Sequence, residues 1–573
     1  MPGRFIALCG DRSSRAAVAA RIRSLGTLTA LLDQDALILF ADPALPHLKA
    51  EAGVVLGALF LRGQTAPCRA LDDTKQAACV GTRGAFLADT CWGSYVAFLP
   101  DPSGRTWHIL RAPFGMLPCL WMEQDGIIWL ASDLPILEQA GLVRPPIDWT
   151  ALRIHLLQPE LRRSQTCLIS ISELQGGSRL TAGSGTVAVE PTWSPWTFAQ
   201  RADIPPADAA LRLRGAVDLS VSAMSALYDR AILMLSGGLD SSVVAASLKR
   251  AGRHFDCLTF RPDGAGGDES RYARAVAEHL AIAWHEVRPD PDGVALLRSA
   301  SSHLPRPNER LFYQEYDRLA VALAQHVQAK AIFHGGGGDN LFYANPSVAP
   351  IADCLLTGNG RVRSSARALA DLTGTSAWRV MWMAMRRALR RRGPANSESL
   401  RTQFLSDSTM TPTELHAWND APAGILPGKA SHVALLAPTQ SLIETVDPLR
   451  PIPNVAVLMT QPLVETCLAM PTDLWFAPGW NRAIARSAYA AALPNEVIDR
   501  RSKGSPDAFV ASIFERRKRD IRSILLDGLL AEHGLLDRAR LKAVLDDPAP
   551  AKGYDFSRIL ELVDAEAWAR ARA

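Results

Sequence analysis

A chain of 573 residues is longer than one hydrophobic core usually serves, so two or more domains are expected and a small disulfide scaffold is excluded. With 48% hydrophobic and 21% charged residues, it has the composition of a folded chain rather than a disordered one. A net charge of +4 spread over so large a surface leaves no footprint for nucleic acid or an anionic membrane, and neither is expected as a partner. The nine cysteines are scattered, without C-x-x-C or zinc-type Cys/His spacing, which predicts a reducing, cytoplasmic setting and no structural metal. No basic segment at the start leads into a long apolar stretch, and the longest apolar run, Val54 to Leu61, is broken by Gly57, so neither export nor a membrane span is expected.

To about residue 190 the chain is a series of short apolar runs between Gly, Pro, Asp and Ser: Ala36–Phe40, Gly53–Leu61, Gly93–Leu99, Trp107–Leu110 and Ile127–Leu130. Asp101-Pro102-Ser103-Gly104 reads as a hairpin turn between two of them, and the whole stretch as sheet-rich. The texture changes at Pro205. Asp208–Tyr228 reads as an amphipathic helix, Ala231–Leu235 as a strand and Ser241–Arg250 as a helix; Cys257–Phe260, Glu269–Leu280 and Ala331–His334 repeat the alternation that a parallel sheet requires. An α/β architecture follows, with a first domain over 1–195, a second over 205–573, and the boundary between Thr192 and Pro206. Ser364–Arg392 reads as helical with a basic end, stopped at Gly393-Pro394.

The chemistry is written in Ala231-Ile-Leu-Met-Leu235-Ser236-Gly237-Gly238-Leu239-Asp240-Ser241-Ser242. A buried-type strand runs into two glycines and then a helix start, whose free N–H groups and serine hydroxyls converge on one spot suited to pyrophosphate. Asp240 would repel that phosphate unless a cation sits between them, which implies Mg2+. An ordinary glycine-rich connection is the plain alternative; the full string in a strand-to-helix context argues against it. Neither Gly424-Ile-Leu-Pro-Gly428-Lys429-Ala430 nor Gly335-Gly336-Gly337-Gly338-Asp339-Asn340 has the spacing of a P-loop or a dinucleotide fingerprint.

At these residues the sequence resembles the asparagine synthetase family, and the resemblance continues in the family's order from about 205 to 510. It includes Asp268-Glu269-x-x-Tyr272-Ala273, His334 to Asn340 in place of the second nucleotide loop, and Leu493-Pro494 through Arg501-Ser502-Lys503-Gly504. The resemblance implies a degenerate Ntn-type, glutaminase-like αββα sandwich followed by an ATP-pyrophosphatase (adenine nucleotide alpha hydrolase-like) parallel-sheet domain. It also implies activation of a carboxylate by ATP as an acyl-adenylate, attack by an amine, and release of AMP and pyrophosphate. Carried over residue by residue, Ser236, Gly237, Gly238, Ser241 and Ser242 hold phosphates; Leu235 and Phe260 lie near the adenosine; Gly335 and Gly336 belong to the second loop. Asp240 and Asp339 bind Mg2+, and Lys503 neutralises charge on the departing pyrophosphate. A solvated lysine in the cluster Arg500–Lys503 is the alternative for the last.

Two departures from the family redirect the function. Met1-Pro2-Gly3 stands where glutamine-dependent members begin Met-Cys-Gly; Pro2 has no thiol and Cys9 lies inside the chain, so the amidotransferase fold is expected without its activity. In the second loop Gly336 and Asn340 stand where the family has acids. Among relatives without a glutaminase, the lasso peptide macrolactam synthetases resemble this chain in G-G-G-G-D-N and in Q-P-x-x-E (Gln461 to Glu465), R-x-x-A-R (Arg482 to Arg486) and R-S-K-G (Arg501 to Gly504). The resemblance implies adenylation of an Asp or Glu side chain of a processed precursor peptide and ring closure by its N-terminal amine, with a leader-peptide protease and a leader-binding protein as partners. Glu465 is the candidate base for the amine, with a buried structural carboxylate paired to an Arg as the equal alternative. The competing functions are a β-lactam synthetase or other amide synthetase acting on a small amino acid, and a non-catalytic peptide-binding protein. His303, Asn308 and Tyr313 read as loop packing or as the wall of a peptide site. Trp378, Trp382, Met383 and Met385, followed by arginines, read as a core-facing stripe with a solvated basic end or as a grip for a partner.

Overall fold

The computed structural model describes residues 3–573 except 52, 184–185, 201–203, 263–268, 309, 391–399, 407–415, 444–446, 448–449, 451, 502–503, 505 and 551–552. Pro2, Asp268, Ser502 and Lys503 therefore lie outside the described residues.

The first unit is two six-stranded antiparallel sheets packed face to face. One runs in the order Ser172–Glu173, Leu120–Gln124, Ile127–Ala131, Phe5–Cys9, Leu37–Ala41, Thr29–Asp33. The other runs Thr186–Pro191, Ser178–Gly183, Trp107–Arg111, Cys91–Pro100, Gly53–Leu61, His47–Ala50. Side chains alternate across a strand, so Phe5, Ala7, Leu37 and Leu39 meet Val54, Leu56, Phe98 and Ile109 between the sheets, while Ile6, Leu8, Ile38 and Phe40 face the other way, against Ala19 and Ile22 of the helix Arg12–Ser24. On the far side Val55, Leu59 and Tyr95 cover Cys79 and Leu87 of two short helices. Helices outside both sheets make this an αββα sandwich. Asp101–Gly104 does turn the chain between the paired strands Cys91–Pro100 and Trp107–Arg111.

The second unit is built on a five-stranded, all-parallel sheet in the order Trp284–Val287, His254–Phe260, Arg230–Met234, Ala331–His334, Asn454–Ala456. Successive strands first step to one side of Arg230–Met234 and then to the other, which opens a crevice at the carboxyl ends of Arg230–Met234 and Ala331–His334. Helices Pro206–Ser225, Leu239–Arg250, Ser270–His279 and Tyr313–His326 cover the sheet. The helical stretch expected over 364–392 is two helices, Val362–Thr373 and Ala377–Arg390: Gly374 takes a left-handed conformation (φ 63°) and its N–H bonds the Ala370 carbonyl, terminating the first.

The units share cores. Phe60, Trp92, Phe114, Trp193 and Trp196 pack with residues of Pro206–Ser225 and Gln461–Ala469, so the segment expected to mark the boundary is itself buried at Trp193 and Trp196. The helix-facing side of the first sheet likewise joins Phe509, Phe514 and the helix Asp555–Arg572.

Candidate active site

The first loop leaves the sheet at Leu235, which is buried and tied down twice: its N–H bonds the Leu258 carbonyl at 2.8 Å, and its carbonyl accepts from Thr259 Oγ1 at 2.7 Å. Gly237 then turns with φ 69°, where a Cβ would sit 2.5 Å from the Ala273 nitrogen, so only glycine fits. The Ser236 N–H donates to Ser241 Oγ (3.2 Å), the Gly238 N–H to Ser236 Oγ (3.3 Å), and Ser242 Oγ donates to the Gly238 carbonyl (2.8 Å). These bonds coil the loop against the start of Leu239–Arg250 and direct its backbone at the crevice, the arrangement that accepts anions.

The second loop, Gly335–Gly338, rests on the first through its glycines. A Cβ on Gly335 would lie 2.7 Å from the Ser241 nitrogen, and one on Gly338 would lie 2.5 Å from Asp240 Cγ. His334 closes the strand before it. Burial, helped by the nearby Arg310 guanidinium, pulls its imidazole down to about 4, so the ring is neutral at pH 7 and Nδ1 accepts the Gly336 N–H at 3.1 Å. A Cβ on Gly336 would lie 2.6 Å from that same Nδ1. The position where the family carries a glutamate is thus occupied by the histidine ring. Asn340, at the other lost acid, gives its side-chain amide to the Leu435 carbonyl at 2.6 Å.

The two loops bring Asp240 and Asp339 together. A single guanidinium nitrogen, Arg482 Nη1, lies 3.2 Å from Asp240 Oδ1 and 2.7 Å from Asp339 Oδ1. Arg482 itself has a left-handed backbone (φ 53°) immediately before the helix Ala483–Tyr489. Two carboxylates that reach one nitrogen atom also reach one divalent cation, and among the described residues no cluster of three or more His, Cys, Asp and Glu offers an all-protein cage. Two acids facing an anion-binding loop suit Mg2+, which keeps water and phosphate oxygens in its shell.

Between the loops lies a cleft of about 400 Å³, lined by Ser236, Gly238, Asp240, Ser241, His334 to Asn340 and Arg482 on one side, and by Asn308, Arg310, Tyr313, Asp317 and Arg450 on the other. A second lobe of about 230 Å³ shares Asn308, Arg310, Asn340 and Leu442 with it and extends to Glu160, Arg401 and Glu561. Of the expected residues, Ser236, Gly238, Asp240, Ser241, Gly335, Gly336 and Asp339 line the cleft. Leu235 and Ser242 are buried behind it, Gly237 is spent on the turn, and Phe260 stacks on Tyr316 at 4.4 Å. Asn308 and Tyr313 face the cleft; His303 is buried, with Nδ1 3.9 Å from an Asp447 carboxylate oxygen.

Glu465 is placed elsewhere. It is buried where the units meet, and its carboxylate accepts from Arg62 (3.0 Å), Trp193 Nε1 (2.9 Å) and Gln461 Nε2 (2.9 Å). The reading as a general base gives way to the alternative, an Arg-paired structural carboxylate, because every bond it makes joins the helix Gln461–Ala469 to the first unit or to itself. Arg482, Arg310, Asp317 and Arg450 were not foreseen as site residues. For Arg482 the signal was present in the R-x-x-A-R string; the others carry no local pattern.

Where the first unit meets Tyr228 of the second, Gly3 and Leu45 border an apolar cavity of about 30 Å³ with Ala58 and Ser94, room for about one water molecule. Cys9 is buried, and burial pushes its thiol up to about 12, which leaves no thiolate there at neutral pH.

The sequence pattern of the asparagine synthase family matches residues 213–436 and 456–570. Among curated proteins, carboxyethyl-arginine beta-lactam-synthase of Streptomyces clavuligerus is 35% identical over 105 residues, 18% of this chain, and the match spans only 20% of that protein. Similar solved structures include NMN synthetase from Francisella tularensis, with 18% identity over 23% of this chain and 54% of that one and a TM-score of 0.17. Glutamine phosphoribosylpyrophosphate amidotransferase from B. subtilis has 11% identity over 55% of this chain and 89% of that one, with a TM-score of 0.20. The family pattern covers more than half of the chain and takes in both loops that wall the cleft, Arg482 and the acid pair it bridges: the chain belongs to the asparagine synthase family.

Proposed function

We propose that this protein is an ATP-dependent carbon–nitrogen ligase and, within that class, a lasso peptide cyclase. The observation that carries the ligase reading is the convergence of Asp240 and Asp339 on one atom beside the Ser236–Ser241 loop, at the crevice of a parallel sheet. Ser236, Ser241 and the Gly238 N–H would hold phosphate oxygens, and Asp240 and Asp339 would hold Mg2+, which shields charge on the phosphates when bound. The peptide carboxylate attacks the α-phosphorus and pyrophosphate leaves; Lys503 is assigned to the charge that builds on it. The neutral N-terminal amine of the peptide then attacks the acyl carbon: the C–N bond forms, the C–O bond to AMP breaks, and the nitrogen's surplus proton passes to solvent water. Holding both ends of the peptide together makes that second step unimolecular.

The cyclase reading is supported by the G-G-G-G-D-N, Q-P-x-x-E, R-x-x-A-R and R-S-K-G strings, and by the second lobe, which gives a chain longer than one amino acid somewhere to lie. Pro2 in place of the nucleophilic cysteine is in keeping with an amine supplied by the peptide rather than by glutamine. Partners of this reading are the precursor peptide, a leader-peptide protease and a leader-binding protein. The β-lactam alternative rests on the Streptomyces relative. Incubation with ATP, Mg2+ and a cleaved lasso core peptide should release AMP, and changing the peptide's ring-closing Asp or Glu to Asn or Gln should stop it. AMP release with carboxyethyl-arginine and none with the peptide would favour the second reading; no AMP with either would leave a binding protein.

A further inference from the structure

The helix Ala377–Arg390 presents an apolar ridge to solvent. Five of the twelve large hydrophobic side chains exposed among the described residues belong to this one helix: Trp378, Trp382, Met383, Met385 and Leu389. Trp378 is 80% exposed, Trp382 53% and Leu389 83%. Trp378, Trp382, Met385 and Leu389 follow at intervals of four, three and four, so they share one face; on the opposite face Val380 and Ala384 are buried against Ile351, Ala366 and Leu369, and Ala388 is buried as well. Of the two readings of this stripe, the core-facing one gives way, since the ridge faces outward. So much contiguous apolar surface is costly in water and marks a contact site.

The charge beside it selects the occupant. Arg379, Arg386 and Arg390 are exposed along one flank of the ridge, and the Arg386 guanidinium lies 4.5 Å from the Trp382 ring centre. Between Val362 and Arg390 the sequence has six arginines and one aspartate. Two copies of so basic a face would repel one another, which disfavours self-association through it. Indoles and a methionine–leucine ridge backed by guanidiniums match the boundary layer of a bilayer, where an indole sits at the headgroup level, aliphatic side chains reach the acyl edge and arginines pair with phosphates.

We infer that the helix Ala377–Arg390 docks the protein peripherally on an anionic lipid surface through Trp378, Trp382, Met385 and Leu389, with Arg379, Arg386 and Arg390 contacting headgroup phosphates. No helix among the described residues is long and apolar enough to cross a membrane, so the contact is an in-plane one. The net charge of the whole chain conceals it, because +4 averages a local cluster over all 573 residues.

Sedimentation of the full-length protein with phosphatidylglycerol vesicles and with phosphatidylcholine vesicles tests this. Binding is expected to the first and not the second, to weaken with salt, and to fall roughly tenfold or more in Trp378→Ser/Trp382→Ser and in Arg379→Glu/Arg386→Glu. These side chains are exposed, so both variants should keep the wild-type melting temperature. Absence of binding to phosphatidylglycerol vesicles, or binding that both variants retain, overturns the inference. So does self-association in solution that Trp378→Ser/Trp382→Ser abolishes, or a ridge saturated by an acidic protein that blocks no vesicle binding. None of these outcomes depends on the ligase reading, which is tested by AMP release alone.

Discussion

Asp240 and Asp339 are held in register by Arg482, so each is expected to matter for chemistry more than for folding. Asp240→Asn and Asp339→Asn should each lower ATP turnover to AMP by a factor on the order of a hundred or more while the melting temperature moves little, since both side chains border the cleft rather than the core. Near-normal AMP formation in either variant, or ADP as the product, would remove the nucleotide assignment. Glu465 is expected to behave in the opposite way. Glu465→Ala strands the partly buried Arg62 and the Trp193 N–H, so it should cost about 3 kcal/mol of stability, yet the surviving folded protein should keep the wild-type shape of its pH–rate profile. A lost pH limb at unchanged stability would restore it as a base. Asp240 could be read directly because its loop is local in sequence; Glu465 stayed between base and Arg-paired structural carboxylate, because the arginine that decides it, Arg62, is some four hundred residues away and nothing in Q-P-x-x-E announces it. Lys503 carries a separate expectation: Lys503→Ala should leave ATP affinity nearly unchanged and slow adenylate formation by about a hundredfold, with Lys503→Arg rescuing in part.

At the scale of elements, the two glycine loops act as one part because each fills the space a side chain would take in the other. Gly338→Ala should press a methyl group into Asp240, displacing the carboxylate from Arg482 and from any shared cation; AMP formation should fall by at least about tenfold, and stability by about 1–3 kcal/mol. Assay of AMP beside a thermal melt separates the two effects, and a fully active variant would show that the loops have slack. The strands and helices around these loops were legible because short period-two and period-3.6 patterns alternate there: Ala331–His334 has the bounds the sequence suggests, and the strand before Ser236 differs by a residue at each end. The loops' mutual contact was not legible, since it joins residues about a hundred positions apart through atoms that glycine lacks. The helix pair around Gly374 was misread for a related reason. A glycine inside a periodic pattern is tolerated or terminates a helix according to whether the chain beyond it can turn back onto its own domain.

Over the whole molecule, the two units are bound by buried charge as well as by shared cores. Glu173, on the edge strand Ser172–Glu173 of the first sheet, accepts from Arg111 Nη1 of the second sheet at 2.8 Å and from Arg306 of the second unit, with all three side chains buried. Burial by itself would raise the glutamate, but the guanidiniums of Arg306 and Arg111 overcome it and bring the carboxyl from 4.5 down to about 2. A carboxylate whose folded value lies below its unfolded value stabilises the fold above the unfolded value of about 4.3, and that contribution is lost as pH falls toward 2. The protein should therefore show a loss of stability between about pH 4 and pH 2 that is weaker in Glu173→Gln, because the variant has no proton to take up there. At pH 7, Glu173→Gln should cost about 3–5 kcal/mol, since two arginines are left buried without their counter-charge. Denaturant melts of both proteins at pH 7 and at pH 3 test this, with the difference in unfolding free energy expected to shrink at the lower pH; an unchanged difference would mean that Glu173 does not take up its proton in this range, or that water reaches the two arginines and Glu173 adds little to the joint between the units.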